Sequence, residues 1–211
     1  MKERAMVPDE VQGLFMRGAD YAFARWGRPI VPVVFGVGDE TLATIKGAIE
    51  AVVALAGHKM AETDPELGAN LMLFFLRDWA ELLDVPNLGE MIPDLAATVA
   101  RLEAAGAAQY RAFRFDEAGA IRAAFVFVRM AGGMEKLSAE TVALTQAVQA
   151  LLTWGEAAFA ETSPLALHPG TGAVILRPEI AAVIRAAYDP VMPAAASDPS
   201  HALRLYARMQ R

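Results

Sequence analysis

Residues 108–129 read AQYRAFRFDEAGAIRAAFVFVR. Residues 108–115 and 120–129 are both rich in aromatic and β-branched side chains, and Asp116-Glu117-Ala118-Gly119 between them runs from acid to glycine, as a tight turn requires. The stretch predicts two antiparallel strands joined by a hairpin. Any sheet that contains this hairpin is not purely parallel.

Working outward, Ser138 is placed to cap a long helix that carries Val142, Thr145, Val148, Gln149, Leu152 and Phe159, with Gly155 interrupting it near its end. Upstream, residues 70–76 (NLMLFFL) form an unbroken apolar run, the pattern of a strand buried on both faces. Residues 30–35 (IVPVVF) are a shorter β-branched run in which Pro32 favours a sheet edge or a bulge. Between these two runs, Leu42, Ile45, Ile49, Val52, Val53 and Ala56 recur at helical spacing after a possible cap at Asp39. Short helical pieces are expected near 79–83 and 94–104.

At the N-terminus, Pro8, Asp9 and Glu10 suit a first helical turn, and Val11, Leu14, Phe15, Gly18 and Ala22 share one helical face; this predicts a helix over 8–26. Pro178 opens a helix to Tyr188, and His201 to Met209 forms the last. The whole is an α+β domain spanning 1–211, a mixed and mostly antiparallel sheet with helices packed on it. Its body covers 29–160, and a loop with helices covers 161–211.

Composition removes several function classes. A formal net charge of -6 argues against nucleic acid as a partner, since phosphate affinity needs clustered Lys and Arg. With no cysteine there is no thiol chemistry or iron–sulfur ligation. Charged or turn residues interrupt every apolar run before it could span a bilayer, so no transmembrane segment is expected. No apolar signal core follows the basic start. As it stands the chain reads as cytoplasmic, or as periplasmic or envelope-bound if a signal segment was removed.

No catalytic or metal site is legible. Gly36-Val37-Gly38 lies between a strand and a helix, but Thr41 stands where the third glycine of a dinucleotide fingerprint belongs, and Asp39 and Glu40 would repel a phosphate. His58, His168 and His201 have no local pairing at zinc-ligand spacing. Glu62, Asp64 and Glu66 lack the rest of a calcium loop and read as a solvated acidic patch. There is no Gly-x-Ser-x-Gly elbow. Asn70 is a candidate polar anchor, because it opens an apolar strand and its amide needs partners if buried.

Val148-Gln149-Ala150-Leu151-Leu152-Thr153-Trp154-Gly155-Glu156-Ala157-Ala158 can be laid on the metzincin pattern H-E-x-x-H-x-x-G-x-x-H, with Gly155 on the glycine. RWGRPIVPVVFG (25–36), GANLMLFFL (68–76) and AAYDPVMP (186–193) resemble segments of an uncharacterised bacterial family of zincin relatives, often described as lipoproteins. The resemblance implies a zincin-like layout whose site has lost its chemistry: Val148, Leu152 and Ala158 stand at the zinc-ligand positions and Gln149 at the general base. It implies no cofactor, and a groove between sheet edge and long helix that holds a peptide or protein partner as an added strand. An enzyme whose site assembles only in three dimensions, or a structural subunit of an envelope assembly, are the alternatives.

Overall fold

The computed structural model describes residues 6–211. In chain order the elements are α1 (Pro8–Gly13), β1 (Met16–Arg17), β2 (Asp20–Tyr21), β3 (Phe23–Ala24), β4 (Pro32–Phe35), α2 (Asp39–Leu55) and β5 (Leu71–Leu76). After a 3-10 turn (Trp79–Asp84) come α3 (Leu88–Met91), α4 (Leu95–Ala104), β6 (Gln109–Phe115), β7 (Ile121–Arg129) and, beyond a second short turn, α5 (Ala139–Leu151). The chain closes with β8 (Leu165–Leu167), β9 (Val174–Leu176), α6 (Pro178–Ala187), β10 (Ala195–Ala196) and α7 (Ser200–Met209).

The main sheet has the order β4-β5-β7-β6. The sheet is mixed as expected but not mostly antiparallel: β4, β5 and β7 run parallel because α2 carries the chain back between β4 and β5, and only the hairpin makes β6 antiparallel to β7. The 17-residue α2 returns the chain to the end where β4 began, which lets β5 lie parallel beside it. Pro32 opens β4, which is an edge strand as its proline requires. In the hairpin turn, Asp116 Oδ1 accepts the N–H groups of Ala118 and Ala120, both at 2.9 Å. Gly119 takes the positive φ of +79° that closes the turn.

Helices cover both faces, which explains the unbroken apolar runs of β5 and β7. On one face Leu71, Leu73, Phe75, Val126 and Val128 pack in a single core with Ile45, Ile49 and Val52 of α2, Val142 and Val148 of α5, and Val183 and Ile184 of α6. On the other, Phe74, Leu76, Phe125 and Phe127 pack with Trp79, Leu88, Val99 and Leu102. Each fully buried Leu, Val or Phe contributes about 1.5–3 kcal/mol, so the two-sided sheet is the main source of stability.

Two expected helices are shorter than their periodicity suggests. The helix predicted over 8–26 ends at Gly13, and the chain turns at Gly18 (φ +58°) into the β1–β2 hairpin. A continuous helix would set Tyr21 about 120° around the axis from Phe15 and leave one ring in water. The observed path instead brings Phe15 within 6.0 Å of Tyr21 and 5.1 Å of Phe23, ring centre to ring centre. Burial of these rings outweighs local helical preference.

The helix expected to run through Phe159 ends at Leu151. Leu152 is extended and bridges Arg25, Thr153 N–H donates to Ala24 O (3.0 Å), and Thr153 Oγ1 accepts from Ala24 N–H (2.7 Å). Sheet-like bonds to β3 therefore replace the next helical turn. Trp154, which a helix running to Phe159 would have included, lies beyond the helix and is half-buried; it stacks on Phe15 at 5.4 Å and caps the helix by donating to Val148 O (2.9 Å). The predicted cap at Asp39 is likewise displaced, since Gly38 is the N-cap and Asp39 lies in the first turn.

Candidate functional site

Asn70 is a closed structural knot. Its Oδ1 accepts from Val31 N–H (2.8 Å), and its Nδ2 donates to Pro29 O (2.9 Å) and Asp64 Oδ2 (3.0 Å). Asp64 Oδ1 accepts from the N–H groups of Glu66 and Leu67 at 2.9 and 3.0 Å, and Arg28 Nη1 reaches Oδ2 at 3.3 Å. Burial alone would raise the Asp64 pKa, but these donors outweigh it and hold the group down at about 2. The acidic stretch is thus no solvated patch at its centre: Asp64 is buried and fixes the strand start, while Glu66 outside it pairs with Arg28 and Arg122.

The positions laid on the metzincin pattern do not form one surface. Val148 and Leu152 are wholly buried in the core, and Leu152 has left the helix. Gln149 is buried on the last helical turn, its amide without a partner among the described residues. Gly155 lies against the backbone of Met16, where a Cβ would collide with the carbonyl oxygen, so glycine serves close chain approach there. Ala158 lines a separate cleft with Glu10, Leu14 and Glu179.

The histidines stay apart. His58 Nε2 bonds to Arg28 O (2.9 Å), and burial lowers its pKa. His168 Nδ1 accepts from Gly170 and Thr171 N–H in an exposed turn. His201 shares a 2.8 Å hydrogen bond with the Tyr21 hydroxyl, and burial drives its pKa down to about 4. Among the described residues no group of three or more His, Cys, Asp or Glu side chains could hold a metal.

What the fold does leave open is the outer edge of β6. Arg129 N–H donates to Ala108 O, while Ala124 N–H donates to Asn70 O on the other side, which fixes the phase of the ladder. Even-numbered residues of β6 bond to β7. Gln109, Arg111 and Phe113 direct their N–H and C=O groups outward, with no strand beyond among the described residues. Among the described residues the Phe113 carbonyl alone is occupied, by the guanidinium of the neighbouring Arg114 at 3.1 Å.

The side chains of those same residues face α5. Arg111 Nη2 donates to Gln109 Oε1 (2.8 Å) and Gln146 Oε1 (2.6 Å), and Gln146 Nε2 donates to Gln109 Oε1 (3.1 Å). This trio ties the sheet edge to the helix. At the far end of β6, half-exposed Phe115 lines a largely apolar cleft of about 540 Å³ together with Tyr21, Phe23, Gly119 and Thr153. Sequence alternation places Gln109, Arg111 and Phe113 on one face, and two arginines without an acid in QYRAFRF is a signal that could have singled out this strand. Gln146, 35 residues further on, has no such signal.

No family model matches the chain, and neither a curated protein nor a solved structure matches it. No helix among the described residues is long and apolar enough to cross a membrane.

Proposed function

We propose that this chain is a non-catalytic binding domain of zincin-like layout, which holds an extended segment of a peptide or protein partner along β6. The observation that carries the reading is the unused outer edge: the alternate N–H and C=O groups of Gln109, Arg111 and Phe113 are spaced as strand addition requires. Exposed edges of this length are usually blunted, because they recruit other strands. Here β6 has seven residues, all but the last half-buried and the last exposed. The mixed sheet whose final hairpin leads into a buried helix supports the zincin-like layout. The cleft beside Phe115 would receive a side chain of the bound segment, and its volume lies within the range of about 300–1,000 Å³ usual for ligand pockets.

Two arginines and no acid on β6 also disfavour pairing of two copies of this edge, since like charges would face each other. The test is selection of binders from a random peptide display, followed by amide hydrogen exchange on the complex. Slowed exchange at Gln109, Arg111 and Phe113 is expected. Gln109→Pro, which removes the outward N–H together with the side chain, should weaken binding more than Gln109→Ala, which removes the side chain alone. Binders that protect other amides, or that tolerate the proline, would overturn the reading.

A further inference from the structure

The Arg111 guanidinium is a desolvated cation with no anion beside it among the described residues. It takes part in none of the ion pairs among the described residues, which join Arg28, Arg122, Arg177 and Arg208 to carboxylates. Among the described residues its acceptors are the two neutral amide oxygens of Gln109 and Gln146, both on Nη2. Among the described residues Nε has no partner and is sealed from water, and Nη1 also has none but is not sealed. Part of the residue's surface is therefore open, although protein encloses the guanidinium in bulk. Burial pulls its pKa down to about 10, with no ionised neighbour contributing, and the group remains a cation at neutral pH. A buried charge of this kind is costly unless an anion meets it.

We propose that Arg111 is a carboxylate site, with Nη1 as the donor that an incoming carboxylate meets. The two glutamines fix the guanidinium plane through Nη2, while Nη1 is not fully sealed and makes no hydrogen bond among the described residues. A single cation suits a monoanion better than a phosphate dianion. The other arginine of the strand, Arg114, lies on the opposite face over Phe125 and donates to Met91 O. If the β6 reading holds, the carboxylate belongs to the added strand, because a residue paired laterally with Arg111 places its side chain on the same face about 5 Å away. It is then an Asp or Glu side chain or the terminal carboxylate of the segment. The source of the carboxylate rests on the β6 reading; the site itself does not.

The experiment is a titration of the isotope-labelled protein with sodium acetate against sodium chloride at equal ionic strength, following the Arg111 side-chain resonances by NMR. A saturable shift with acetate alone is expected, absent in Arg111→Gln after circular dichroism shows that variant folded. In peptides selected on the protein, Glu→Gln or C-terminal amidation should weaken binding by about tenfold or more, the worth of one charge-assisted hydrogen bond. Whichever change does so identifies the source. If acetate moves the Arg111 signals no more than chloride does, the carboxylate site is overturned, whatever the peptides do. If acetate saturates at Arg111 but selected peptides protect other strands, the site stands and strand addition on β6 fails.

Discussion

The Asn70 knot and the Arg111 trio are both polar clusters inside an apolar protein, and they differ in closure. In the knot, every strong hydrogen-bonding atom of Asn70 has a partner, and the Asp64 carboxylate takes four donors. In the trio, among the described residues, a full positive charge meets only amide dipoles and two of its nitrogens have no acceptor. Closed clusters define a structure. An open one, at a free strand edge, retains the capacity to bind.

Breaking the knot should therefore have the largest effect on folding. Asn70→Ala would orphan Val31 N–H and Pro29 O and leave Asp64 short of a donor, for a loss of about 3–5 kcal/mol. Urea unfolding measures it, and a loss below about 1 kcal/mol would mean that water enters and satisfies the site.

His201 sharpens the contrast, because it is half closed: Nδ1 is bonded to Tyr21, while Nε2 is buried without a partner among the described residues. Its folded pKa of about 4 lies below the ordinary 6.5, so the unfolded chain takes up the proton first. Stability should fall as pH drops from about 6.5 to about 4 and level off below, by on the order of 3 kcal/mol, and His201→Gln should flatten that limb. Asp64 acts lower on the scale. With a folded pKa of about 2 against 3.8, its contribution is full above about pH 4 and is lost as pH falls towards 2, on the order of 2 kcal/mol. Unfolding midpoints of the parent and Asp64→Asn across that range should converge at the acid end.

Much of this architecture is legible where burial is two-sided or a helix carries its own punctuation. β5 and β7 show as apolar runs because helices cover both faces, and α5 starts where Ser138 accepts from Thr141 N–H. Helix ends set by distant partners are not legible. Nothing local to Leu152 and Thr153 indicates that they will bond to β3, and nothing in Ala195–Ala196 indicates that it will pair with Phe23–Ala24. The candidate site is harder still. Asn70 is visible as a polar residue in an apolar strand, and it proves structural. Arg111 looks like an ordinary surface arginine until the fold brings Gln146 to it and, among the described residues, no carboxylate.

The smallest expected effect on stability is the one that separates the two clusters most clearly. Arg111→Gln removes the charge but keeps a side chain able to bond with Gln109 and Gln146, so the amide network can re-form around it. Arg111 gains no ion pair from the fold, and relieving an unmatched buried cation offsets the lost packing of its stem. The urea midpoint should shift by less than about 1 kcal/mol of unfolding free energy, in either direction. Arg111→Lys tests the geometry instead, since an ammonium keeps the charge but cannot engage both glutamines while presenting a separate, planar donor. A loss from Arg111→Gln comparable to that from Asn70→Ala would show the trio to be a second knot, holding β6 onto α5 rather than standing ready for a ligand.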